Sequence, residues 1–108
     1  MNQETARPAN PLRGEVELSL PGLVLRLRPS FAALVAAETE IGGLSAAIER
    51  AAAGDARLAD IAALVWHCAE DDGRRPDRAA LEALLVKAGL ARALPAYRRL
   101  LMQIFAGD

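Results

Sequence analysis

Two short alternating segments joined by a Pro-Gly pair constrain this chain more than any other feature. In GEVELSL (14–20) Val16, Leu18 and Leu20 point one way and Glu15, Glu17 and Ser19 the other, the period-two pattern of a half-buried strand. After Pro21-Gly22, LVLRLR repeats it with Leu23, Leu25 and Leu27 on one face and Arg26 and Arg28 on the other. Folding one segment back on the other sets Leu18 opposite Leu25, Val16 opposite Leu27, Glu17 opposite Arg26 and Glu15 opposite Arg28, so one register satisfies both faces. Leu-Pro-Gly suits a type II turn, and a loop of about four residues with the same parity is expected. Glu17 and Arg26 should face solvent as a cross-strand pair. A two-stranded hairpin is not stable alone, so its Leu/Val face needs a floor supplied by the rest of the chain.

That rest reads as helix. The 108 residues include 24 Ala and 17 Leu but only four aromatics, Phe31, Trp66, Tyr97 and Phe105, a helix-former's composition. Ser30 reads as an N-cap for a first helix whose stripe is Phe31, Leu34, Val35, Glu38 and Ile41, stopped by Gly42-Gly43. A short second helix runs from Leu44 to about Ala53, with Leu44, Ala47, Ile48 and Ala51 inward. A third covers roughly Arg57 to Asp71, and its apolar arc through Ile61, Leu64, Val65, Cys68, Leu58, Ala62, Ala69 and Trp66 is wide enough to make it central. GRRP breaks the chain before a fourth helix capped by Asp77, with Leu81, Leu84, Leu85 and Ala88 inward and Gly89 as its stop. A fifth has Pro95 in its first turn and Leu94, Tyr97, Leu100, Leu101, Ile104 and Phe105 on one face. The expected fold is α+β: a flexible leader over residues 1–13, then one small domain, residues 14–108, with an N-terminal β-hairpin packed on four or five short helices.

Charge and cysteine usage narrow the function classes. The formal net charge is −1, so no whole-molecule field favours nucleic acid. The charge is uneven: residues 1–30 carry +1, residues 31–72 carry −6 and residues 73–108 carry +4. Acidic and basic helices facing each other, or ordinary solvated surfaces, account for that pattern; a charge-patterned partner contact is the sharper reading. One cysteine makes no internal disulfide, so the cytoplasm is the default compartment. The start, MNQETARPANPLR, has no apolar core of a signal peptide, and no uncharged apolar run approaches the roughly 18 residues of a membrane span.

The chemistry-bearing residues do not assemble into a reactive site. His67 and Cys68 are neighbours, and neighbours on a helix diverge by about 100°, so they form no catalytic dyad. One His and one Cys leave too few soft ligands for zinc, and the window from Asp71 to Glu82 puts Pro76 where a calcium loop requires glycine. There is no Gly-rich phosphate loop, no nucleophile elbow and no second His to act as a base. No enzyme activity, cofactor or metal is expected. Cys68 reads as a small core residue and His67 as an exposed one. Arg74, Arg75 and Arg78 form the best basic cluster, but acids interleave them and no aromatic stands nearby in sequence to stack a base. Met102 and Phe105 read as core or helix-end packing. The candidates for partner binding are Trp66, at the margin of the third helix's arc where an aromatic serves as part core and part anchor, and Arg26 and Arg28 on the outer hairpin face. Glu38 joins them as the one charge on the first helix's stripe; the Gly42-Gly43 reversal would bring the N–H groups near Leu44 and Ser45 back toward it.

The order of NPLRGEVEL, LVLRLR, ETEIGGL, LADIAALV and the terminal helix after KAGL resembles the small phage-type tail proteins of gene transfer agents, described as tail assembly chaperones and sometimes labelled tail tube proteins. The likeness covers roughly residues 9–106. Its most specific pieces are Asn10-Pro11 followed by Arg13-Gly14-Glu15, and Glu38 with Ile41-Gly42. The resemblance implies a non-enzymatic protein that helps assemble a non-contractile tail, binding the tape measure or tube subunits before polymerisation; the sequence leaves a homo-oligomer open. Two other readings compete: a structural part of the tail tube, and a small helical DNA-binding regulator, whose affinity would fall steeply with salt.

Overall fold

The computed structural model describes residues 14–107; the leader expected over residues 1–13 lies outside them. A two-stranded antiparallel hairpin, β1 (Val16–Leu20) and β2 (Leu23–Leu27), precedes five helices, α1 (Phe31–Ile41), α2 (Leu44–Ala52), α3 (Leu58–Cys68), α4 (Arg78–Ala88) and α5 (Leu90–Ala106). This is the α+β class expected. The register pairs Val16 with Leu27, Glu17 with Arg26 and Leu18 with Leu25. The pairing continues to Leu20 and Leu23, so the loop is two residues rather than about four. Proline cannot enter the positive φ of a primed turn, and Gly22 at φ 76° completes a type II geometry instead.

The hairpin's apolar face is its buried face. Val16, Leu18, Leu20, Leu25 and Leu27 are all in the core, with β1 lying on α5 and α4 and β2 on α3. Glu15 departs from the alternation: it is buried rather than outward-facing. It precedes the first paired residue, where the pleat no longer dictates direction, and it lines a hollow with Arg99, Gln103 and Ala106 at the end of α5.

Helix α3 is central, with Ile61, Ala63, Leu64, Val65 and Cys68 inaccessible to solvent. Its outer turn differs from the expected arc, since Leu58 is exposed while Asp60 is buried. The larger correction concerns α1, which meets α3 through Ala33 and Ala37. Phe31, Val35 and Glu38 of the expected inward stripe face solvent, and Leu34 and Ile41 are half-buried. Two alanines at i and i+4 let the helix axes approach closely, and that packing outweighs the larger side chains' own preference for burial. Helix α5 starts directly after Gly89, so Pro95 sits inside the helix instead of in its first turn. Its face buries Ala93, Ala96, Tyr97, Leu100 and Leu101, but Phe105 and Met102 are exposed, which corrects their reading as core. Among the described residues no single helix is long and apolar enough to cross a membrane.

Candidate functional site

Three of the four candidate residues gather where α3 ends. Past Ala69 the chain makes a tight reversal in which Asp71 and Arg74 exchange backbone hydrogen bonds of 2.7 and 3.0 Å. Asp72 and Gly73 occupy its centre at φ 53° and 76°, the conformation that Asp-Gly pairs favour in primed turns. Arg26 donates from Nη2 to Asp71 Oδ1 at 2.8 Å, so its guanidinium ties β2 to this turn rather than crossing to Glu17 as expected. The Arg28 N–H donates to the Cys68 carbonyl at 2.7 Å while its side chain is exposed.

Trp66 is half-buried and engaged by four groups. Its indole N–H donates to the Pro76 carbonyl at 2.8 Å, His67 meets it edge-on with ring centroids 4.9 Å apart, and the guanidinium carbons of Arg75 and Arg78 each lie 5.1 Å from the indole centroid. An aromatic does stand beside the basic turn, because the backbone reversal folds residues 75–78 back over α3. Cation–π contacts of this kind stabilise by roughly 0.5–2 kcal/mol each. Trp66 is thus a joint between α3 and the start of α4.

An ion network extends the joint. Arg78 places Nη1 2.9 Å from Glu40 Oε1, holds Oε2 through Nη2, and reaches Glu82 through Nε at 3.1 Å. His67 Nε2 lies 3.0 Å from Glu40 Oε1, so His67 is half-buried and partnered rather than exposed. The Arg78 guanidinium holds the Glu40 carboxyl down at about 2, and Glu40 in turn raises Arg78. These bonds clamp α1, α3 and α4 together.

Glu38 lies apart from that cluster. It is exposed, yet its Oε2 accepts from the Leu44 N–H at 3.1 Å. Helix α2 has no side-chain cap of its own at Gly43, so Glu38 satisfies a first-turn donor across the 76° bend between α1 and α2. A second internal anion, Asp60, was hidden in the sequence. Only 1% exposed, it accepts from Arg50 Nε at 2.9 Å and lies 3.7 Å from Arg57 Nε. That hydrogen bond raises the Arg50 guanidinium's pKa. Burial, aided by the Asp60 charge, pushes the nearby Tyr97 hydroxyl up to about 12, and burial pushes the Cys68 thiol up to about 12.

A model of the family described as phage tail tube protein, GTA-gp10, matches residues 13–107, nearly the whole chain. The chain belongs to that family. No curated protein and no solved structure matches it. In this GTA-gp10 member the open apolar surfaces lie away from the α3 turn. One hollow of about 310 Å³ lies between α3 and α4, formed by Leu58, Ala59, Ala62, Leu85 and Val86 with Glu82 at its side; Val86 is 67% exposed. Another of about 420 Å³ runs between α2 and α5, with Ile48, Ala51 and Ala52 facing Leu101, Met102 and Phe105, and Arg98 at its edge. Sequence reasoning missed both. Val86 carried a signal, as a β-branched apolar residue outside the inward set of α4; Leu58 carried none, being indistinguishable from the core arc. Among the described residues no group of three or more His, Cys, Asp and Glu side chains is arranged to hold a metal ion.

Proposed function

We propose that this GTA-gp10 family member is a tail assembly chaperone that binds the tape measure or tail tube subunits before they polymerise, and that it does so without catalysis. The α3–α4 hollow carries this reading. Its floor is alanine and leucine, its rim is the exposed Leu58 and Val86, and its one charged residue, Glu82, is bound to Arg78. A slot between two helices, apolar and shallow, suits the apolar stripe of a partner helix. An aqueous surface keeps such a slot bare only at a cost in hydration free energy, which a docked helix recovers. Co-expressing the chain with the tape measure and tube proteins of its own gene cluster tests the reading: a stable complex with either is expected, and Val86→Glu should abolish it. No complex with either protein would end it.

The family's description as a tail tube protein favours a second reading, in which the chain is a structural part of the tail. Particle composition separates the two. Chain present in purified tails at a fixed ratio to other tail proteins supports the structural role; chain required for assembly but missing from purified tails supports the chaperone.

A further inference from the structure

Two exposed stripes on different helices match each other in spacing, polarity and charge. On α1, Phe31, Val35 and Glu38 stand at i, i+4 and i+7, and all three face solvent, Phe31 at 83% exposure. On α5, Arg98, Met102 and Phe105 stand at the same spacing, and all three are exposed, Phe105 at 74%. Each triplet covers one helix face about 10 Å long. Laid antiparallel, they set Phe31 against Phe105, Val35 against Met102 and the Glu38 carboxylate against the Arg98 guanidinium. We propose that α1 of one copy of this chain docks antiparallel on α5 of a second copy through these six residues.

Charge selects this pairing over its rivals. Among the described residues Arg98 has no carboxylate partner and Glu38 is engaged through Oε2 alone, so each brings an available charge. Pairing α1 with α1 would press the Glu38 carboxylate on the negative face of Phe31; pairing α5 with α5 would set Arg98 over Phe105, a cation–π contact that leaves Glu38 unused, and only α1 on α5 joins opposite charges. Helix α1 carries Glu38 and Glu40 and no basic residue, while α5 carries Arg92, Arg98 and Arg99 and no acidic one, so the two helices attract. Because the contact joins two different surfaces, each docked pair leaves one α1 stripe and one α5 stripe free. The association is head-to-tail and continues beyond two copies into a ring or a filament. The area is small, which puts the contact in the weak class.

Sedimentation of the purified chain tests this without any partner. The wild-type mass should rise with concentration past that of a dimer, and F31E and F105E should each remain monomeric, with far-UV circular dichroism unchanged because both side chains are exposed. An equimolar mixture of the two variants should form a one-to-one heterodimer and stop there: the intact Phe31 stripe of one docks on the intact Phe105 stripe of the other, and the remaining faces are both spoiled. V35E with M102E provides an independent pair with the same expected pattern. A wild-type chain monomeric up to about 1 mM, an assembly that stops at two copies, single variants that assemble like wild type, or a mixture that stays monomeric would each overturn the proposal. A tail protein that binds through Phe105 while the chain alone stays monomeric would assign the α5 face to that partner and overturn it too. The α3–α4 hollow is untouched by all four substitutions, so failure here leaves the chaperone reading standing, and loss of tail-protein binding in V86E leaves the self-contact standing.

Discussion

Glu38 shows how an exposed residue acts structurally. Its carboxylate closes the bend between α1 and α2 by accepting the Leu44 N–H, the bond that the Gly42-Gly43 reversal and the donor-rich start of a helix suggest from sequence. Glu38→Ala should lower stability to urea by about 1 kcal/mol, as loss of a helix cap does, while Glu38→Gln should cost less because its amide oxygen still accepts. Equal stability of Glu38→Ala and wild type would remove this role. Cys68 makes the opposite case. It is fully buried with its thiol held near 12, so at neutral pH it is neither ionised nor reachable. A thiol reagent should label the native protein at least about a hundred-fold more slowly than the urea-unfolded chain; comparable rates would show that α3 opens readily.

At the scale of elements, register follows from burial. Leu27 is inaccessible, and Val24 of the same strand is 47% exposed on the outer face. Leu27→Ala should cost about 2–5 kcal/mol and Val24→Ala under about 0.5 kcal/mol, measured by chemical denaturation; a similar cost for both would contradict the pairing observed. The hairpin was legible because Leu and Val alternate with Glu, Arg and Ser, so only one parity buries no charge. The face of α1 was not legible. Alanine is indifferent to water and core alike, and an Ala-rich helix offers two stripes, one large and apolar, one small. The choice between them depends on how near α3 can come, which no local pattern encodes. Asp60 was hidden for a related reason: its partner Arg50 is on another helix, and only the tertiary fold brings the charges together. Trp66 and Arg26 are residue types suited to contact, and the bonds both make around the α3 turn depend on the Asp72-Gly73 reversal, whose Asp-Gly pair is a turn signal in the sequence.

For the whole molecule, the Glu40 network and the buried Cys68 and Tyr97 set the pH range of stability. Glu40 is held at about 2 against an ordinary 4.5. A depressed acid contributes stability that is complete above its unfolded value and lost as pH falls toward its folded one. Cys68 and Tyr97 are raised to about 12 from 9.0 and 10.0; raised groups stabilise fully below the unfolded value, and that contribution disappears as pH climbs through the folded one. Urea midpoints should therefore be level between about pH 4.5 and 9 and fall on either side. Tyr97→Phe with Cys68→Ala should flatten the alkaline limb, and Glu40→Gln should remove its share of the acidic one. Unchanged limbs would show that other groups govern both. The docking of β1 on α5 has a consequence for synthesis. A ribosome makes the hairpin before α5, so the Leu/Val face of the nascent hairpin has only α3 and α4 to rest on until α5 emerges. Translation thereby works as a check on α5: a chain terminated before it displays part of an apolar strand face to proteases and holdases, and a chain that includes it conceals that part.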